Sequence, residues 1–173
     1  LRRQRQMCIR DSDIPARTQN HIEPETARKL ATHGNIAGIK DSGGAQETLE
    51  AYLAVARDIP DFEVYSGPDH LVLWALQNGA AGCISGLGNA MPDVLAGIMN
   101  GFNSGDIADA VQQQDIFTAF RTELYALGFP PALVKRALYL QDKSVGASRQ
   151  PALLPSAEQD AKIRDILGHF DLN

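Results

Sequence analysis

Long apolar runs are what this sequence most conspicuously lacks. None in the 173 residues approaches the roughly 18 to 20 that a membrane-crossing helix requires, and the N-terminus has no apolar core of a secretory signal. A cytoplasmic protein without membrane contact is the expectation. Cysteine is nearly absent: Cys8 sits in a basic leader and Cys83 in an apolar stretch, which excludes a disulfide framework. The four histidines, His21, His33, His70 and His169, have no ligand spacing, so each reads as a surface or hydrogen-bonded histidine and no metal site is expected. Positive charge is short as well. Sixteen Lys and Arg face 21 Asp and Glu, for a net charge of −5, and the basic residues after Arg10 are scattered. That pattern gives no field for a polyanion and argues against nucleic acid as a partner. What is present is 44% apolar residues, enough for a globular core.

The opening run LRRQRQMCIRDS has four arginines and no periodicity. It resembles the translation of a sequencing adapter, so residues 1–12 are expected to be a non-native leader outside the fold. Beyond it, helices alternate with short apolar strands. A helix is predicted from Glu23 to Thr32, opened by Pro24 and closed by Gly34. The strand NIAGIK follows, then a helix from Ala45 to Arg57, the strand FEVYSG, a helix from His70 to Asn78 and the strand GCISGL. Nearly continuous apolar strands separated by helices indicate a parallel sheet covered on both faces, so the class is α/β. After Asn89 only helices are predicted, over 92–102, 106–126, 131–140 and 156–167. A (β/α)8 barrel needs roughly 250 residues. The expectation is therefore the C-terminal part of a barrel over 13–103, about strands 6 to 8, followed by a three-helix extension over 104–173. An open doubly wound sheet is the alternative, but no GxGxxG or GxxxxGK run follows a strand.

Of the five lysines only Lys40 lies in a strand. Alternation puts Ile36, Gly38 and Lys40 on one face and Ala37 and Ile39 on the other, facing the covering helices. Lys40 also stands at the C-terminal end of its strand, where barrel enzymes carry their catalytic groups. Desolvation there favours the neutral amine, which attacks ketones to give an iminium that acts as an electron sink. Gly38, two residues earlier on the same face, is read as leaving space beneath the amine. The competing reading is that Lys40 pairs with Asp41 or another carboxylate and merely caps the sheet.

The ordered runs IPART, PETARKLATHGNIAGIKDSGG, VYSGPD, GAAGCISGLGNAMP and VGASRQP resemble the C-terminal half of the dihydrodipicolinate synthase and N-acetylneuraminate lyase family. The resemblance implies a barrel with a helical extension, usually tetrameric, that handles pyruvate and an aldehyde through a lysine imine and needs no cofactor. It places Lys40 at the Schiff-base position and Gly67 and Ile84 in the pyruvate pocket. Arg17 matches the arginine that holds the carboxylate of aspartate semialdehyde, a pairing that suits a guanidinium fork. The sialic acid lyases carry GTDE where this chain has Gly67, Pro68, Asp69 and His70.

Two departures stand out. Ser12 occupies the place of the relay tyrosine, and Thr18 to His21 differ from the family's TGxxL. The hydroxyl pair that binds the pyruvate carboxylate belongs to a half of the family sequence absent here. The implied activity of the parent is condensation of pyruvate with aspartate semialdehyde, the entry to lysine synthesis. The alternatives are a sister enzyme acting on a 2-keto-3-deoxy sugar acid and a non-catalytic fragment.

Overall fold

The computed structural model describes residues 9–142 and 144–172; residues 1–8, with Cys8, lie outside them. The chain divides into two units, one ending at Ser85 and the other beginning at Gly86. The first runs β1 (Ile9–Asp13), α1 (Pro15–Thr18), α2 (Pro24–Ala31), β2 (Ile36–Asp41), α3 (Gln46–Asp58), β3 (Glu63–Ser66), a 3-10 turn at Asp69–Leu71, α4 (Val72–Gln77) and β4 (Gly82–Cys83). Its strands form one parallel sheet in the order β1-β2-β3-β4.

Ile39 and Val64, each 1% exposed, point from this sheet towards the helices, where Leu49, Tyr52, Leu53 and Val55 of α3 and Ala27 of α2 complete a buried cluster. The i, i+3, i+4 spacing of Leu49, Tyr52 and Leu53 makes the inner stripe of α3. Full burial of an aliphatic side chain is worth about 1.5–3 kcal/mol, so this stripe fixes which face of β2 turns inward. Pro15 and Pro24 begin α1 and α2, where a missing N–H costs nothing. Arg28 and Lys29 in the last turn of α2 complement its dipole.

Three expectations change here. Ile9 to Ser12, read from sequence as outside the fold, form most of β1 and pair with β2 through the backbone, which needs no apolar pattern. The predicted strand GCISGL shrinks to Gly82–Cys83, because β3 ends at Ser66 and the Ile84 N–H to Ser66 O bond is the last that β3 can offer. The helix predicted from His70 begins as the 3-10 turn and becomes α-helical at Val72.

The second unit holds a 3-10 turn at Leu87–Asn89 and the helices α5 (Pro92–Ser104), α6 (Ile107–Tyr125), α7 (Pro130–Leu140) and α8 (Ala157–His169). α5, placed with the strands by the sequence boundary at 103, packs here on α6. The two cross closely at Gly101, where a Cβ would stand 2.9 Å from both Ala110 N and Asp106 O. Gly105 takes the left-handed turn between them at φ 82°, and Asp106 caps α6 by accepting from Asp109 N. Phe117, Phe120, Leu124, Ala137 and Ile163 are fully buried in this unit. Ser156 and Gln159 form a reciprocal capping box at the start of α8. Arg136 of α7 grips Asp160 of α8 through both guanidinium and carboxylate. No helix among the described residues is long and apolar enough to cross a membrane.

Candidate functional site

Parallel pairing aligns the strand ends. Ser12, Lys40, Tyr65 and Gly82 form one row across the sheet, and Asp13, Asp41, Ser66 and Cys83 form the next. Alternation then sorts the rows by face. Asp13, Asp41 and Ser66 are buried on the helix side, at 2%, 0% and 1% exposure, while Lys40 is half-buried on the other.

Gly67 follows β3, and its N–H donates to Asp41 O at 2.7 Å. A Cβ at 67 would stand 2.4 Å from that oxygen, 2.5 Å from Ser42 Oγ and 2.9 Å from Lys40 Cε. Only glycine lets the end of β3 approach β2 and the lysine stem this closely. Ile84 follows β4, tied by its N–H to Ser66 O at 2.8 Å and 43% exposed. Lys40, Gly67 and Ile84 thus gather at the C-terminal ends of three successive strands. Arg17 lies exposed on α1, the turn that follows β1.

The capping alternative for Lys40 fails with Asp41. That carboxylate lies on the opposite face, where Oδ1 accepts from Gly43 N at 2.7 Å and Oδ2 from Thr48 Oγ1 at 2.8 Å. Burial pushes the Asp41 carboxyl up, assisted by Asp13, while the Gly43 and Thr48 bonds oppose the shift. None of the ion pairs among the described residues involves Lys40.

Three groups on the Lys40 face of the sheet were not foreseen. Tyr65, the Cα partner of Lys40, donates its hydroxyl to Glu63 Oε2 at 2.7 Å. Arg10 Nε donates to the same oxygen at 3.1 Å, with its guanidinium 5.3 Å from the centre of the Tyr65 ring. The Tyr65 bond, then Arg10, holds the Glu63 carboxyl below the usual range, and burial, then Glu63, pushes the Tyr65 phenol up. Gly38 lies in register between Arg10 and Glu63, and a Cβ there would be 2.2 Å from Glu63 O. The expectation of free space above Gly38 is therefore corrected. The glycine answers a close approach of β3, and the Arg10–Glu63 pair spans it. Strand register would have revealed this row, but pairing partners are not written in a single sequence.

Behind the sheet, Asp13 is the focus of a second cluster. His21 Nδ1 is 2.7 Å and Tyr52 Oη 2.8 Å from Asp13 Oδ2, and Ile22 N donates to Oδ1 at 3.1 Å. The Tyr52 hydroxyl also reaches Ile22 O. Burial, then Asp13, pushes the Tyr52 phenol up, so it stays protonated. Beyond β3 and β4, Ser85 Oγ donates to Asp69 Oδ1 at 2.5 Å, and burial raises the Cys83 thiol.

Residues 12–170 match the Dihydrodipicolinate synthetase family. The chain belongs to that family. Among dihydrodipicolinate synthetase relatives, a 4-hydroxy-tetrahydrodipicolinate synthase from Listeria monocytogenes is 34% identical over 155 residues, 90% of this chain and 52% of its own length. One from Nostoc is 32% identical over 162 residues, 92% of this chain and 53% of its own. The chain spans about half the length of the curated relatives it matches. A prophage protein of the dihydrodipicolinic acid synthase family from E. coli K12, solved with pyruvate, is similar in structure at a TM-score of 0.88 and 26% identity, over 95% of this chain and 56% of that one. A Thermotoga maritima dihydrodipicolinate synthase shares the fold at a TM-score of 0.87 and 24% identity, over 95% of this chain and 56% of that one. The fold is thus α/β of the TIM-barrel type that the family shares.

Proposed function

We propose that this chain carries the imine-forming part of a Schiff-base lyase that joins pyruvate to an aldehyde, with Lys40 as nucleophile and aspartate semialdehyde as the acceptor. The observation that supports it most is the contact of Lys40 with Gly67 at the C-terminal strand ends of a dihydrodipicolinate synthetase family chain. In this reading the Lys40 amine adds to the pyruvate C2 carbonyl and water leaves as the iminium forms. Loss of a C3 proton gives an enamine, which attacks the aldehyde carbon, and hydrolysis frees the lysine. Gly67 and Ile84 line the pyruvate end, and Arg17 pairs with the acceptor's carboxylate. The acid-base hydroxyls come from the part of the relatives that this chain does not span, so the piece alone is inactive. The complete protein works in the cytoplasm as a homotetramer without metal or bound cofactor.

Borohydride reduction with pyruvate tests the reading. The full-length protein should gain the mass of a reduced pyruvate adduct at Lys40, and Lys40→Ala should abolish it. An unmodified wild type, or an adduct that survives the substitution, removes the mechanism. A substrate panel tests the acceptor: turnover of 2-keto-3-deoxygluconate without turnover of aspartate semialdehyde would reassign it.

A further inference from the structure

Asp13 ends β1, yet its carboxylate is committed to residues eight and nine positions further on, His21 and Ile22. The segment from Ile14 to Ile22 is thereby closed into a ring, and Tyr52, reaching over from α3, ties the ring to the covering helix through one hydroxyl proton shared between Asp13 Oδ2 and Ile22 O. Arg17 rides near the middle of that ring. The Asp13 side chain is 1% exposed, whereas that of His21 is 30% exposed. The closing bonds therefore stand in a dry environment where they are strong, and one partner is reachable by substitution without emptying the core.

A carboxylate accepts only, so His21 Nδ1 carries the proton. Gln19 in the same ring holds a left-handed conformation at φ 55°, which a non-glycine residue keeps only when its surroundings over-determine it. Both features describe a loop that is held rather than loose.

We propose that Asp13, His21 and Tyr52 form a clamp that positions Arg17, and that through it they set the fit of the acceptor's carboxylate while leaving pyruvate capture at Lys40 untouched. The proposal rests on the lyase reading for its functional half. His21 and Tyr52 are positioning residues, since neither is placed against a reacting atom.

The test uses the full-length protein with His21→Ala and His21→Asn, the second putting an amide nitrogen where Nδ1 stands. His21→Ala should raise the KM for aspartate semialdehyde about 10-fold or more, because small misplacements of a positioning group are costly. The pyruvate KM and the borohydride-trapped adduct should not change, and His21→Asn should restore the acceptor KM. Tryptic cleavage after Arg17, measured against cleavage after Arg57 on the exposed side of α3, should be several-fold faster in His21→Ala.

An acceptor KM within about twofold of wild type overturns the proposal. So does an adduct yield that falls in parallel, which would mark a general loss of structure, and so does failure of the asparagine to rescue. If wild type forms no adduct, the lyase reading is lost instead, and proteolysis alone decides the clamp: equal cleavage after Arg17 in both proteins would sink it.

Discussion

Lys40 and Gly67 pack against each other across the ends of β2 and β3, with no room for a methyl group between them. A Cβ at 67 would sit 2.9 Å from Lys40 Cε and 2.4 Å from the backbone oxygen of Asp41. The second contact cannot relax by a rotamer change. Gly67→Ala should therefore destabilise the protein by about 1–3 kcal/mol, the usual penalty for overpacking, and, on the lyase reading proposed above, reduce pyruvate trapping at Lys40. Urea melts should show a lower midpoint with an unchanged slope, and an unchanged midpoint would mean that the strand ends are looser than described.

Asp41 makes a pH prediction whose sign is opposite to that of most carboxylates. Burial holds its carboxyl above the usual range, so the native state binds the proton more tightly than the unfolded chain does. The stabilisation it provides is complete below the unfolded pKa of about 3.9 and is lost as pH rises through the native value. Asp41→Asn keeps an acceptor for Gly43 N, and its amide can donate to Thr48 Oγ1, whose one proton then turns wholly to Ala45 O, 2.9 Å away. Thermal melts across acid pH should show the wild type losing stability over this window and the variant lacking that component. Identical pH slopes would contradict the assignment.

Asp160 should behave the other way. Its hydrogen bond to Arg136 holds it below the usual range, with side-chain exposures of 15% and 29% for the two residues. The pair stabilises above the unfolded pKa, and its contribution disappears as pH falls through the lowered value. Asp160→Asn should cost about 1.5–3 kcal/mol at neutral pH, the range for a hydrogen bond to a charged group, and progressively less as the solution is acidified below the ordinary carboxylate range. Chemical denaturation at neutral and acid pH checks it.

Gln19 offers a gain. Its left-handed backbone at φ 55° costs an L-residue about 1–2 kcal/mol, against the roughly 0.5–1 kcal/mol of extra chain entropy that glycine loses on folding. Gln19→Gly should raise stability by about 0.5–1 kcal/mol. A drop in melting temperature would show that the Gln19 side chain contributes more than its backbone strain removes.

The helices were the most legible part of the fold. Pro24 and Pro92 mark starts that the structure places at the first helical positions, the helix expected from Pro131 begins one residue earlier at Pro130, and the stripe of Leu49 and Leu53 turns inward as its spacing requires. Strand extents were less legible, because they depend on partners: β4 stops where β3 stops offering carbonyls, and the charged β1 is a strand only beside β2. At the site, alternation along one strand placed Lys40 on the face away from Ala37 and Ile39, while the separation from Asp41 emerged only with the structure. The Tyr65–Glu63–Arg10 row and the bonds to Asp13 remained hidden, since each joins residues far apart in sequence through a register that no local pattern encodes.

The neighbouring carboxylates of Asp13 and Asp41 share one habit: each accepts a backbone N–H from the segment that follows its own strand, from Ile22 in one case and Gly43 in the other. Loop and strand are therefore not interchangeable cassettes. An engineer who grafts a foreign loop after either strand must bring an amide to the same spot, or leave a carboxylate stranded in a dry interior.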